Sequence, residues 1–292
     1  MTIIKTLSRA RDFLAGNNVE DAALESEVLL RHALKIDRAR LFADLNIEVS
    51  PGKEKTFWRL IKRRLDGEPT TYITGHREFY GVDFYVNRHV LIPRPETELL
   101  VEKAISLAQN RSISTIADVG TGCGAIVISL ALELPEAKIY ATDISASALD
   151  VALTNCQKHG VAERIHLLQG DMLEPLPEPV DLIISNLPYI REPDLPLTEP
   201  ANFEPIIALN GGPDGLEKIR QLCQQLDNRL HHDGCLLMEI GQGQKKAITS
   251  FLYNLFPSAK IDIVCDLNGI ERVVCLTLSN MTACRGDLAC TD

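Results

Sequence analysis

From residue 114 onward the apolar residues switch repeatedly between two periods, and this constrains the fold more than any other feature. Ile116-Ala117-Asp118-Val119, Lys138 to Thr142, Ile165 to Gln169, Asp181 to Ser185 and 235–240 are short, nearly continuous apolar runs of the kind found in strands buried on both faces. Between and after them, Ala125 to Leu134, Ala146 to His159, 214–231 and 244–255 read as helices. Such alternation predicts an open parallel sheet with helices on both faces. Two further strands, 260–265 and 271–278, are separated only by Asp266 to Ile270. They must pair antiparallel, because parallel neighbours need a long crossover. The expectation is an α/β, doubly wound, mostly parallel seven-stranded sheet with one reversed strand in its last hairpin.

The chain before this region is different. Residues 1–75 read as helical: Leu7, Ala10 and Leu14 share one face, Phe57, Leu60, Ile61 and Leu65 another, and Ala23 to Leu34 forms an apolar-rich helix between them. The segment carries thirteen Lys/Arg and eleven Asp/Glu, so it is weakly positive while the remainder is strongly negative. Its basic stretch, Arg59 to Arg64, reads first as a solvated helix face. Phe79, Phe84, Val86, Val90 and Ile92, set among Gly81 and Asn87, read as a hairpin. After Pro93 and Pro95 a helix is expected over Glu96 to Leu107. The expected organisation is a small helical domain at 1–75, a β-hairpin linker and hinge at 76–95, the sheet domain at 96–279, and a mobile tail at 280–292.

The net charge of -10 makes non-specific nucleic-acid binding a poor reading, because phosphates repel such a protein at long range. The eight cysteines occur singly, with no Cys-x-x-Cys pair, as reduced cysteines packed as small hydrophobes do. No signal-peptide pattern opens the chain, and no apolar run approaches the roughly 18 residues that span a bilayer. The expectation is a cytoplasmic protein with no membrane partner. The seven histidines are scattered, His231-His232 reads as a helix-end cap, and no metal site is expected.

The glycine-rich segment Gly120-Thr121-Gly122-Cys123-Gly124 falls between the first strand and its helix. Glycines there permit a sharp turn and close approach of a ligand to a helix N-terminus. Gly120, Gly122 and Ala125 also fit the dinucleotide pattern, so the loop alone does not name its cofactor. Asp143 ends the second strand, where a carboxylate can accept both ribose hydroxyls of an adenosine. Asp171, beside Met172 after the third strand, is placed to meet an adenine amino group, or else serves as a turn or helix cap. Asp118 precedes the loop and is expected to position it by hydrogen bonding.

The fourth strand leads into Asn186-Leu187-Pro188-Tyr189. In open α/β sheets ligands bind beyond the carboxyl ends of strands, although Asn followed by Pro is also ordinary loop punctuation. The tetrapeptide is similar to the Asn-Pro-Pro-Tyr motif of amino-group and amide methyltransferases, and the expected sheet looks like the common methyltransferase fold. Further segments resemble the release factor glutamine methyltransferases, the HemK/PrmC family. They are Leu91 to Glu98, Phe203-Glu204-Pro205 with Ala208-Leu209, Gly211 to Leu216, Glu239 to Gln244, and Asp266 to Arg272. The resemblance covers nearly everything before the tail. It departs at Leu187, where the family has Pro. Adenine dimethylases of ribosomal RNA share Asn-Leu-Pro-Tyr, which makes adenine methylation of nucleic acid the main alternative. The other segments and the acidic charge do not fit that group.

The resemblance implies S-adenosylmethionine as cofactor, held by Gly120, Thr121, Gly122, Cys123, Gly124, Asp143, Asp171, Met172 and Asn186. It implies peptide chain release factors as protein substrates, recognised by the helical domain, with transfer to the glutamine of a Gly-Gly-Gln motif. Asn186 would accept a hydrogen bond from the substrate amide and the Leu187 carbonyl a second, with Pro188 restricting Leu187 to extended conformations and Tyr189 packing on the substrate side chain. A nicotinamide oxidoreductase would need a hydride-transfer site, for which no residues stand out. A non-catalytic scaffold would have no use for Asn186.

Overall fold

In the computed structural model, residues 1–195 and 203–278 are described and form two compact units. One holds Met1–Arg77, Val86–Arg88 and the described part of Pro196–Pro205. The other holds Glu78–Tyr85, His89–Leu195 and the described part of Ile206–Asp292. The tail expected at 280–292 lies outside the described residues.

The first unit contains α1 (Ile3–Gly16), α2 (Ala22–Leu34), α3 (Arg38–Ala43), α4 (Pro51–Leu65) and α5 (Thr70–Thr74). Local chemistry marks their starts. The Asp37 carboxylate caps α3 by accepting from the Arg40 N–H at 2.7 Å, and Pro51 opens α4, where its missing N–H costs nothing. Ala10 and Leu14 of α1, Leu29 and Leu30 of α2, and Phe57 and Ile61 of α4 are fully buried together, and Leu7 and Leu65 pack at the edge of this core. The basic stretch of α4 is partly neutralised. Arg63 pairs with Glu68 at 2.5 Å, and Arg64 pairs with Glu25.

Strands β1 (His76–Phe79), of which Glu78 and Phe79 belong to the second unit, and β2 (Val82–Tyr85) form a two-stranded sheet. Its turn is made by Tyr80 and Gly81, both at positive φ, as a tight hairpin requires. A 3-10 turn at Pro95–Thr97 leads into α6 (Glu98–Asn110). There follow β3 (Thr115–Val119), α7 (Ala125–Glu133), β4 (Lys138–Asp143), α8 (Ala146–Lys158), β5 (Ile165–Gln169), β6 (Val180–Ser185), α9 (Glu217–Gln224), β7 (Leu230–Glu239), α10 (Lys245–Leu255), β8 (Lys260–Cys265) and β9 (Glu271–Thr277). The seven-stranded order is β5-β4-β3-β6-β7-β9-β8, with β9 antiparallel to both its neighbours. This is the doubly wound sheet with a reversed strand that the alternation predicts.

Ala117, Val119 and Ile183 pack on one face with Leu222, Leu226, Ile248 and Leu252, while Ile116, Leu182 and Ile184, one residue out of phase, are buried on the other. Two covered faces explain the continuous apolar runs. Helix α7 is buried from Ala125 to Ala131, as expected of a helix apolar all round.

Two expected elements differ. The hairpin read through Val86, Val90 and Ile92 ends at Tyr85, and those three residues are buried beyond it. The helix predicted over 214–231 spans only Glu217–Gln224, and Leu230–Glu239 is strand. Asn228 takes a positive φ that a helix running to 231 could not hold, Asp233 within β7 takes one too, and the β6–β7 register shifts across this polar stretch. His231 and His232 therefore lie exposed in the first part of β7 and cap no helix.

Candidate active site

The strand order reverses direction at β3, whose neighbours are β4 and β6, so the ligand crevice of the fold opens beyond the carboxyl ends of β3 and β6. Val119 and Ser185, the last residues of these strands, are direct register partners. The glycine loop and Asn186 therefore leave the sheet side by side. Gly120, Gly122 and Gly124 have φ of 74°, 57° and 82°, conformations that non-glycine residues adopt at a cost. Gly120 and Thr121 both donate their N–H to the Thr142 carbonyl, at 2.9 and 3.0 Å. A Cβ on Gly120 would lie 3.4 Å from Leu187 Cδ2, so the buried Leu187 side chain packs under the loop.

Asp143, at the end of β4, braces the loop. Its Oδ2 accepts from the Gly122 N–H and its Oδ1 from the Ser145 N–H, each at 2.9 Å. Burial raises its pKa above the usual carboxylate value, against these backbone donors. Asp171 lies two residues beyond β5 and its carbonyl accepts from Glu174 N in a tight turn. Met172, at φ 48°, is buried, and its carbonyl accepts the Thr142 hydroxyl at 2.8 Å. Cys123 is buried, with its thiol pushed up to about 12 by burial, so it packs as a small hydrophobe.

Asp118 does not act as expected. Neither of its oxygens makes a hydrogen bond, and burial pushes its carboxyl up to about 7, with Asp143 adding to the rise. The Thr121 hydroxyl opposes that rise from a geometry short of a hydrogen bond. Thr121 and Ser185 also have buried hydroxyls without partners. Three unpartnered polar groups flank one glycine loop, where each unmet group costs about 1–3 kcal/mol. A ligand bringing an ammonium group and further donors would satisfy them, and this donor set fits the aminoacyl end of a sulfonium cofactor.

Several segments remote in sequence converge on Asn186 to Tyr189. The Gly211 N–H donates to the Ile190 carbonyl at 2.8 Å. A Cβ on Gly211 would sit 2.8 Å from the Pro188 carbonyl oxygen and from Tyr189 Cα, so only glycine fits there. Gln244 Nε2 donates to the Tyr189 carbonyl at 3.1 Å and to the Gly215 carbonyl at 3.2 Å, while its Oε1 accepts from Gly241 N at 2.8 Å. Asp266 shapes the β8–β9 turn by accepting from Asn268 N, Ile270 N and Arg272 Nε at 2.9–3.0 Å. The Tyr189 hydroxyl donates to Glu239 at 3.2 Å. Its pKa is pushed up to about 12 by burial and by Glu239, so it remains a neutral phenol. Beside Tyr189 lies a cleft of about 510 Å³, lined by Arg191, Asp214, Leu216, Gly241 and Gln244 among others.

Sequence reasoning assigned no role to Asn155, Thr97 or Glu239. Asn155, fully buried in α8, donates to the carbonyls of Cys123 and Tyr85 at 2.9 Å and accepts from Tyr85 N at 2.8 Å, tying the glycine loop to β2. An Asn on the apolar face defined by Ala148, Val151 and Ala152 was the available signal. Thr97 receives the Asn186 amide at 3.0 Å and donates to Glu239 at 2.6 Å. Both residues stand inside segments that resemble the family, but nothing in their spacing joins them.

A doubly wound sheet of this order, with a glycine loop at its switch point, fits a methyltransferase domain using a donor of the S-adenosylmethionine type. Known proteins agree. Residues 5–75 match the PrmC N-terminal domain family and residues 95–197 the methyltransferase small domain family. A release factor glutamine methyltransferase from Moorella thermoacetica is 46% identical over 250 residues, covering 85% of this chain and 88% of that protein. One of the same name from Bacillus cereus is 36% identical over 282 residues, covering 94% and 98%. Among solved structures, a ribosomal protein L11 methylase from Lactobacillus delbrueckii subsp. bulgaricus shares the fold, with a TM-score of 0.50 and 23% identity over 67% of this chain and 84% of that one. The chain belongs to the release factor glutamine methyltransferase family. No helix among the described residues is long and apolar enough to cross a membrane.

Proposed function

We propose that this enzyme methylates the side-chain amide nitrogen of the glutamine in the Gly-Gly-Gln motif of a peptide chain release factor, using S-adenosylmethionine. The observation that carries the reading is the register pairing of Val119 with Ser185, which sets Asn186 and the glycine loop at one crevice. S-adenosylmethionine supplies a methyl group made electrophilic by its positively charged sulfur. Gly120 to Gly124, Asp143, Asp171 and Met172 hold the cofactor, and Asp118 faces its ammonium group. Asn186 accepts one N–H of the substrate amide and the Leu187 carbonyl the other. The nitrogen, a weak nucleophile because its lone pair is delocalised, is thereby aimed at the methyl group, and orientation carries much of the rate. The two acceptors also favour the positive charge that develops on nitrogen during transfer. Tyr189, neutral and tied to Glu239, packs on the glutamine side chain. The cleft beside it takes the backbone of the substrate loop, where glycines permit close approach.

Residues 1–75 recognise the intact release factor, 76–95 serve as linker and 96–279 carry the chemistry. An overall charge of -10 supports a protein substrate over a nucleic acid. The test is transfer of labelled methyl to purified release factor, with RNA and DNA as competitors. Asn186→Ala should lower the transfer rate by about 100-fold or more while cofactor affinity stays within a few-fold. Leu187→Pro keeps the carbonyl and should retain transfer. A release factor with glutamate in place of the glutamine should accept no label. A wild-type rate in Asn186→Ala, or label on adenine, overturns the reading.

A further inference from the structure

Asn186 can be an acceptor toward substrate only if its oxygen, and not its NH2 group, faces the crevice. Turning the amide by 180° exchanges the two ends with almost no change in shape, so hydrogen-bond partners must decide the orientation. Among the described residues the Asn186 amide pairs with the Thr97 hydroxyl, 3.0 Å from Nδ2. Thr97 has one proton, and Glu239 Oε2 lies 2.6 Å from Thr97 Oγ1. Glu239 is 2% exposed, and its second oxygen accepts the Tyr189 hydroxyl. Burial raises the Glu239 pKa, while the Thr97 and Tyr189 hydroxyls and the charge of Arg272 favour its ionised form; a carboxylate is acceptor-only, so it draws the Thr97 proton to itself. Thr97 is left showing a lone pair to Asn186, and a lone pair accepts only the NH2 end.

We infer that Thr97 and Glu239 form a polarity relay that fixes the Asn186 amide with its oxygen toward the substrate. The inference rests on the reading that Asn186 is the substrate acceptor. With the amide reversed, two oxygens would face each other at Thr97, and an NH2 group would face the N–H groups of the substrate. Glu239 thereby governs both ends of the tetrapeptide from the end of β7, without touching the reacting atoms. Thr97 and Glu239 are positioning residues. Their place in two remote segments follows, because one supplies the hydroxyl and the other the buried acceptor that gives it direction.

The test uses the full chain and labelled transfer to purified release factor under single-turnover conditions. Cofactor affinity is followed by calorimetry with S-adenosylhomocysteine, and folding by thermal melting. Thr97→Val keeps shape and removes the hydroxyl. It should lower the transfer rate by about ten-fold or more, with the affinity for S-adenosylhomocysteine within about three-fold of wild type. Thr97→Ser restores the hydroxyl and should recover most of the rate. Glu239→Gln presents an NH2 end to one of its two hydroxyl partners and should also slow transfer, which keeps the relay testable should Thr97→Val not fold. In an Asn186→Ala background Thr97→Val should cost nothing further, because its effect passes through Asn186. A folded Thr97→Val or Glu239→Gln at the wild-type rate overturns the relay, as does an equal loss in the Asn186→Ala background. If Asn186→Ala alone transfers at the wild-type rate, the underlying reading of Asn186 has failed. If Asn186→Ala is slow and the relay variants are not, only the relay has failed.

Discussion

Replacing Asp143 with Ala should separate cofactor binding from folding. Both carboxylate oxygens already accept backbone N–H groups, Gly122 on one side and Ser145 on the other, each at 2.9 Å. The carboxylate is thus held rigidly, with remaining lone pairs available to the two ribose hydroxyls. Each hydrogen bond to a charged acceptor contributes about 1.5–3 kcal/mol, so losing two weakens binding by ~3–6 kcal/mol. At about 1.4 kcal/mol per decade, that is ~100-fold to ~10,000-fold in Kd. Burial, which raises the carboxylate's pKa, offsets part of this, and the lower end is the expected value. Asp143→Asn should do little better than Ala, since whichever way its amide turns, an NH2 group meets a backbone N–H. Calorimetry with S-adenosylhomocysteine measures the loss, and circular dichroism checks that the sheet is intact. Affinity within about three-fold of wild type in a folded variant would show that Asp143 only braces the turn.

Other consequences follow from the same geometry. Asp118 is held at about 7 against an ordinary 3.8, so its folded value lies above its unfolded one. Its contribution to stability is fully present below the unfolded value and is lost as pH rises toward and through the folded one, by ~3 kcal/mol between about pH 5 and about pH 8. Asp118→Asn should flatten that slope in denaturant titrations, and equal slopes for variant and wild type would refute the assignment. Gly211→Ala places a Cβ 2.8 Å from the Pro188 carbonyl and should displace the tetrapeptide. Overpacking of this kind costs about 1–3 kcal/mol, so transfer should slow by about ten-fold or more while S-adenosylhomocysteine affinity is kept; an unchanged rate would show that the loop yields freely. Deleting residues 1–75 should spare S-adenosylhomocysteine binding and greatly weaken methylation of intact release factor. Undiminished methylation would remove the recognition role from that segment.

The sheet was legible because its signal is local and repeated. Buried strands such as Asp181 to Ser185 and the all-apolar helix Ala125 to Ala131 announce themselves within a few residues, and the short link between β8 and β9 admits only antiparallel pairing. The 214–231 segment misled because its apolar residues at Ile219, Leu222, Cys223 and Leu226 keep helical spacing past the end of α9. Asn228, at φ 59°, is incompatible with a helix running on to 231, a backbone choice that spacing does not reveal. The polar run His231 to Gly234 then disguises the start of β7, because these residues lie at the end of the sheet where a strand need not be apolar.

The site was legible in a different way, as separate pieces without their joints. Parallel strands bring their carboxyl ends to one edge of the sheet, so Val119, Asp143, Ser185 and Glu239 are neighbours there although 120 residues separate the first from the last. Strand spacing predicts that edge, which is why Gly120 to Gly124, Asp143 and Asn186 could be singled out. It does not predict which polar atoms pair once they arrive. The Thr97–Glu239 bond at 2.6 Å crosses 142 positions, and the Gly211 contact depends on a Cβ that is absent. Leu187 shows the difference. Its departure from proline looks like a loss of loop rigidity when the tetrapeptide is considered alone. In the fold the same backbone is clamped by Gly211 against Pro188, by Gln244 on the Tyr189 carbonyl, and by burial of the Leu187 side chain under Gly120. Rigidity that a proline ring would supply locally is supplied by tertiary contacts, so the acceptor role proposed for the carbonyl at 187 does not require proline.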